Sequence, residues 1–324
     1  MKKNALYPLK FTPILKEKVW GGFKLVDELK KSSDKAVGES WELSGVKGFV
    51  SEVANGKLRG IDLNELLNQF GPDLVGNRVY RTHGNEFPLL FKFIDAKQDL
   101  SVQLHPDDKL AAARHNTFGK TEMWYIVATD PGARLILGFE KEMDPATYRK
   151  YLDGNKITEI LHKEEIIPGQ AFFIAPGTVH AIGAGTLLAE IQQTSDITYR
   201  IYDWDRPDSN GELRELHTDL ALDAIDFKPS NFRLNYTDLR NKRIPICTSQ
   251  YFQTNKLNLT TNFEDFDPDL DSFRVFMCIS GSMELVTESE SIKVRKGETV
   301  LVPACIHNFV IKTDSAEILE VYIP

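Results

Sequence analysis

The sequence predicts a mainly β protein built from two tandem jelly-roll barrels, with a few short helices in and after the first. Three observations carry this expectation. The dominant pattern is short runs of alternating apolar residues bounded by Gly, Pro, Asn and Asp. Helix signals are confined to brief stretches. One strand–turn–histidine pattern recurs late in each half of the chain, which implies two copies of one architecture.

The elements follow in order. The N-terminal "MKKNALYPLKFTPILKEKVW" is interrupted by Pro8, Lys10, Pro13 and Lys16, so it offers no unbroken apolar leader. No apolar run approaches the roughly twenty residues of a membrane span. Strands are expected at "FPLLFKFI", "EMWYIVA", "ARLILGF", "QAFFIAP" and "TLLAEIQQ" in the first half, and at "SFRVFMCI", "SMELVT" and "ETVLVPA" in the second. Helices are expected at "DLNELLNQF" from Asp62, at "PDDKLAAARH" opened by Pro106, and at "DPATYRKYLDGN". In the last, Asp144 is the N-cap, Pro145 the first helical residue and Gly154 the stop. A fourth is expected over "ELRELHTDLALDAID", ending near Asp226.

The polar segment "FKPSNFRLNYTDLRNKRIPIC" then divides the chain into a domain over residues 1–235 and a second jelly roll over 240–324. The repeat lies at 166–183, "IIPGQAFFIAPGTVHAIG", and 294–311, "VRKGETVLVPACIHNFVI". Each copy carries a Gly, a β run, a Pro and a His four residues later, the signature of two packed sheets with a cavity between them.

Composition narrows the function. A formal net charge of −8 argues against nucleic acid or an anionic membrane as partner. The cysteines Cys247, Cys278 and Cys305 are odd in number, widely spaced and without a C-x-x-C pair, as in a reduced cytoplasmic protein.

Within "SVQLHPDD", strand alternation points Ser101, Gln103 and His105 one way and Val102 and Leu104 the other. Alone, this fits a solvated strand face. The first copy also carries Glu122, on one strand face with Trp124 and Ile126, and His180 after the turn "PGTV". Lys120 joins that face if the strand extends back. Two imidazoles, a carboxylate and an amide oxygen inside one barrel form a divalent-metal site, and a cation there offsets the cost of a buried carboxylate. His307 takes the place of His180 in the second copy, where nothing corresponds to Gln103, His105 or Glu122. The second barrel is therefore expected to be non-catalytic.

Several long motifs resemble the type I mannose-6-phosphate isomerases, in their shorter bacterial form, within the cupin superfamily. They are "VWGG" (19–22), "GESWELS" (38–44), "FPLLFKFIDAKQDLSVQLHPDD" (87–108), "GKTEMWYIV" (119–127), "APGTVHAIGAGTLLAEIQQTSDITYRIYDWDR" (175–206) and "RELHTDLALDAIDF" (214–227). The resemblance implies that Gln103, His105, Glu122 and His180 are the ligands of one zinc ion per chain. It implies that Arg200 is an active-site arginine and that Lys92, Ser101, Lys120 and Glu190 line the pocket. Longer members insert a helical domain between these blocks; this chain has only short helices there.

The activity so implied interconverts mannose 6-phosphate and fructose 6-phosphate, moving a proton between C1 and C2 through an enediol. The proton-transfer base is Glu190, placed across a hairpin from His180, or Lys120. Arg200 suits charge stabilisation better than base chemistry. Ser101, Lys92 and Arg206 are the candidates for the phosphate of a hexose 6-phosphate. Lys92 also reads as a rim residue reaching out to solvent, Arg206 as a salt-bridged turn residue, and Trp20 and Trp41 as cleft-lining or core. The competing readings are a non-haem iron dioxygenase, since two histidines and a carboxylate form its facial triad, and a non-catalytic sugar-binding protein with two such barrels.

Overall fold

The computed structural model describes residues 6–208 and 211–324. Its N-terminal part is a sandwich. One sheet has seven strands in the order Ile14–Lys16, Glu39–Leu43, Leu89–Ala96, Thr186–Gln193, Glu122–Thr129, Ala171–Ile174 and Arg233–Leu234. The facing sheet has five, in the order Tyr199–Tyr202, Val102–Leu104, His180–Ile182, Arg134–Phe139 and Leu161–Glu165. Both are open, so the unit is two packed sheets rather than one closed hydrogen-bonded barrel.

Strand parity sorts the side chains. Trp124 and Ile126 turn toward the facing sheet and join Ile94, Leu135, Leu137, Phe172, Ile182 and Leu188. Met123 and Tyr125 turn the other way, into a core shared with Phe91, Phe93 and the helix residues Leu63, Leu66 and Leu67.

The helix Leu63–Phe70 starts where Asp62 accepts a bond from the Glu65 amide, and Pro145–Asp153 starts at Asp144 in the same way. The third begins two residues after Pro106: Asp107 is the N-cap of Asp108–His115. Three short helices, Lys24–Asp27, Pro72–Val75 and Asn77–His83, have no counterpart in the expected elements. The helix expected over "ELRELHTDLALDAID" is only Thr218–Leu222. Leu213 instead bridges back to Pro207, and the His217 amide donates to the Arg200 carbonyl at 2.7 Å. These long-range bonds hold 213–217 extended against a helix-favouring local sequence.

The C-terminal sheet follows the order Arg243–Thr248, Gln253–Leu259, Asn308–Tyr322, Arg274–Val286 and Ser291–Arg295. Phe263–Phe266 pairs with the third of these and Thr299–Val302 with the fourth. The runs "SFRVFMCI" and "SMELVT" form one bent strand, Arg274–Val286, with register shifts at Cys278/Ser280 and Ser282/Glu284. One face of the sheet encloses its own core, including Leu257, Phe276, Val300 and Phe309. The other supplies Val275, Met277, Leu301, Leu319 and Val321 to the core that holds Phe91 and Tyr125. Leu9 forms a β-bridge with Leu301, so the two parts of the chain share apolar packing and main-chain pairing.

Candidate metal centre and substrate cleft

Two rows of side chains meet across the sandwich. In the five-stranded sheet, Arg200 is the cross-strand partner of Gln103, which pairs directly with His180. In the seven-stranded sheet, Trp41, Lys92, Glu190, Trp124 and Phe172 lie side by side in register, with Glu122 two residues from Trp124. Side chains opposite each other on adjacent strands stand about 5 Å apart, so each row presents its polar groups as a cluster. His180 and Glu190 therefore sit on facing sheets, not across a hairpin.

One ligating atom from each of His105, Glu122 and His180 falls within 4.8 Å of the other two, and all three residues are buried. His105 directs Nδ1 at the Ile197 carbonyl (2.8 Å) and His180 directs Nδ1 at the Thr178 carbonyl (2.9 Å). An imidazole that donates from Nδ1 keeps the Nε2 lone pair free, so both rings aim an acceptor into the site. These lie 3.7 Å and 3.5 Å from the two Glu122 oxygens. Gln103 turns its amide nitrogen to His180 Nε2 at 3.5 Å and its oxygen to the Ser101 hydroxyl at 3.2 Å. A half-turn of the amide exchanges the two atoms.

Electrostatics point the same way. Neither Glu122 oxygen has a hydrogen-bond partner. Lys120 approaches Oε2 at 2.7 Å as an ion pair without hydrogen-bond alignment, and its Nζ is 3.0 Å from His105 Nε2. Burial, with Glu190 adding to it against the pull of Lys120, raises the Glu122 carboxyl to about 7. Burial and the Lys120 charge lower His180 to about 3, and burial, Lys120 and His180 together hold His105 well below its ordinary value. Two neutral imidazoles and a carboxylate lacking donors are a set that a divalent cation completes. Among the described residues, nowhere else do three or more His, Cys, Asp or Glu side chains gather closely enough to share a cation.

The site opens into a cleft of about 450 Å³. Ser101, Gln103, Lys92, Lys120, Glu190 and Arg200 line it, as do Trp20 and Trp41. Lys92 is buried, donating to Glu190 at 2.7 Å and Gln192 at 2.6 Å, and does not reach outward to solvent. Glu190 also accepts from the Trp124 indole at 3.0 Å. Burial alone would raise its carboxyl, but Lys92 and Lys120 outweigh burial and hold it at about 2. Arg200 donates to the Glu215 carbonyl at 2.9 Å, and its buried Nε has no partner.

Arg206 is the exception. It does not line the cleft; its guanidinium is taken by the Asp99 carbonyl (2.9 Å), Asp203 (3.0 Å) and Gln98 (3.3 Å). Arg214 lies in the lining instead, held by Asp203 at 2.5 and 2.6 Å, with Lys16, Lys18 and Glu39. Sequence reasoning missed these four. Arg214 and Glu39 fall within the quoted motifs "RELH" and "GESWELS", which was the available signal. Only the extended path of 213–217 and the register of Glu39–Leu43 bring them to the cleft.

The C-terminal copy shows how the same scaffold looks without ligands. Glu122 pairs with Ile174 and Glu190 with Trp124; the corresponding register partners in the second copy are Arg274 with Val302 and Glu320 with Phe276. Arg274 thus stands where Glu122 does. Its guanidinium binds Asp265, which also meets Arg243, and Arg243 reaches Glu320 at 2.6 Å. His307 is exposed.

Comparison with known proteins agrees with this geometry. A family model for the phosphomannose isomerase type I catalytic domain matches residues 8–126, and one for the mannose-6-phosphate isomerase cupin domain matches 242–323. Mannose-6-phosphate isomerase ManA of Bacillus subtilis is 34% identical over 93% of this chain and 95% of its own length. A mannose-6-phosphate isomerase of Streptococcus mutans is 32% identical over 93% and 94%. The crystal structure of mannose 6-phosphate isomerase from Bacillus subtilis superposes with a TM-score of 0.89 at 32% identity, covering 98% of this chain and 99% of that one. The chain belongs to the type I mannose-6-phosphate isomerase family, in its cupin fold.

Proposed function

We propose that this protein interconverts mannose 6-phosphate and fructose 6-phosphate in the cytoplasm, using one zinc ion per chain held by His105, Glu122, His180 and the amide oxygen of Gln103. The observation that carries this reading is the convergence of two imidazole Nε2 atoms, their rings fixed through Nδ1, on a fully buried carboxylate whose close cationic neighbour is Lys120. Imidazole nitrogens with carboxylate and amide oxygens fit zinc, and the set also accepts other divalent ions. When bound, the cation polarises a substrate carbonyl or hydroxyl oxygen as a Lewis acid.

The remaining work belongs to side chains of residues 1–235, with 240–324 as a supporting unit. The sugar binds in the cleft that Trp20, Trp41 and Lys120 line. Lys120 is the residue that moves the proton between C1 and C2, its amine lying in the cleft beside the ligand set. Glu190 is a poor base near neutrality because its carboxyl is held at about 2; it acts as a fixed anion that orients Lys92. Arg200, with one unpartnered nitrogen, stabilises the negative charge that develops on the enediol oxygens. Ser101, with Arg214 and Lys18, receives the phosphate.

A coupled assay of mannose 6-phosphate turnover, before and after chelation, tests the proposal. Turnover that needs a divalent cation and no oxygen supports it. A requirement for oxygen and iron would replace it with the dioxygenase reading.

A further inference from the structure

The second sheet unit holds no ligand set among the described residues, yet one of its side chains reaches the turns on which the first unit's site is built. Asp108 opens the helix Asp108–His115, three residues after His105. Its Oδ1 accepts from the Gly119 amide at 2.8 Å and from the Gln193 side chain at 3.0 Å. The same Gln193 accepts from the Thr121 amide at 2.9 Å, and the Lys120 amide donates to the Pro106 carbonyl at 3.1 Å. Four hydrogen bonds thus stitch residues 106–108 to 119–121. His105 immediately precedes one stitched segment and Glu122 immediately follows the other.

The approach is close. A Cβ at Gly119 would lie 2.5 Å from the Asp108 nitrogen and 2.6 Å from the Asp107 carbonyl carbon, so only glycine lets the two turns touch. The other Asp108 oxygen, Oδ2, accepts from the Tyr251 phenol at 2.6 Å. Tyr251 is itself fixed. The Ser249 hydroxyl accepts from the amides of Tyr251 (3.2 Å) and Phe252 (3.0 Å) and donates to the Phe252 carbonyl (2.9 Å), while Phe252 is fully buried in the shared core.

We infer that Tyr251 is a positioning residue for the metal centre: by holding Asp108 Oδ2 it fixes the carboxylate whose other oxygen ties the turn of His105 to that of Lys120 and Glu122. The second unit therefore sets the spacing of ligands it does not supply. This inference rests on the metal reading of the site given above. Outer-shell contacts of this kind govern ligand orientation and are commonly worth 10- to 100-fold in metal affinity or activity.

The test uses the full chain loaded with zinc. Y251F removes only the phenolic donor. D108N places an amide where the carboxylate accepted from three donors. K10Q is the control, because Lys10 pairs with Glu298 of the second unit at 2.7 Å and lies outside the cleft lining. Four quantities are read: Tm, the rate of zinc loss to a chelator, and kcat and KM for mannose 6-phosphate at saturating zinc. For Y251F we expect zinc loss faster by on the order of 10-fold and a several-fold lower kcat with KM within about twofold. K10Q should match the parent in all but Tm. D108N should reproduce the Y251F effects, with the double variant no worse than D108N, since both act through one carboxylate. A Y251F chain that retains zinc as long as the parent, with parental kcat, overturns the role of Tyr251 whatever its Tm. So does full additivity of the two substitutions. A parent chain that binds no divalent cation would instead overturn the metal reading.

Discussion

Gln103 and His180 are direct cross-strand partners, although 77 residues separate them. That pairing places an amide and an imidazole side by side on the inner face of the five-stranded sheet. It also brings the other half of the site within reach, because Glu122 hangs from the facing sheet with its Oε1 3.5 Å from His180 Nε2.

Removing a ligand should remove the cation. His105→Ala or His180→Ala is expected to abolish stoichiometric zinc and lower kcat/KM by at least about 100-fold. His307→Ala, at the exposed equivalent position, should leave both within about twofold. Metal content by mass spectrometry and steady-state kinetics check this together. Equal damage at His307 would mean that the two copies of the repeat had been matched wrongly.

The Lys92–Glu190 pair is buried, and halves of such pairs do not tolerate loss of the partner. Glu190→Leu alone leaves the buried Lys92 ammonium without its carboxylate partner, held only by the Gln192 amide oxygen, and should cost about 3–5 kcal/mol of stability in denaturant unfolding. The Lys92→Met/Glu190→Leu double variant should recover most of that loss while remaining inactive.

The same pair gives stability a defined pH dependence. The Glu190 carboxyl is held at about 2, below its ordinary value of 4.5. The folded state therefore binds this proton less readily than the unfolded chain, and the contribution is present above pH 4.5 and lost as pH falls toward 2. Tm of the parent is expected to fall over that window more steeply than Tm of the Lys92→Met/Glu190→Leu variant. Parallel curves would contradict the assignment.

The two arginines of "YRIYDWDR" should separate. Arg200→Ala should lower kcat by on the order of 100-fold or more with little change in Tm, as expected for a group that meets developing charge. Arg206→Ala, which loses its bonds to Asp99, Asp203 and Gln98, should lower Tm and leave KM within about twofold. Arg214→Ala should raise KM at least several-fold. Kinetics and thermal melts on the three variants decide it.

Much of this site was legible because strand parity is a local property. The alternation of Ser101, Gln103 and His105 against Val102 and Leu104, and of Glu122 and Trp124 against Met123, follows from period-two geometry and needs no tertiary knowledge. The repeat carried the second fold unit in the same way. What was misread depends on distant partners. Residues 213–217 look helical locally, but the Leu213 bridge to Pro207, the His217 bond to Arg200 and the Arg214–Asp203 ion pair hold them extended. The same contacts bring Arg214 to the cleft and leave Arg206 outside it. Lys92 reads as a phosphate ligand or a rim residue until its register partner Glu190 is known. The link from Tyr251 to Asp108 spans 143 residues and has no local signal at all.

In the proposed reading His105, Glu122 and His180, with Gln103, hold one catalytic cation. Its most direct test is metal content measured alongside mannose 6-phosphate turnover on the same sample, as purified, after chelation and after zinc is restored. Close to one divalent ion per chain is expected, with loss of both ion and turnover on chelation and recovery of both with zinc. Full turnover from a chain stripped of metal would contradict it.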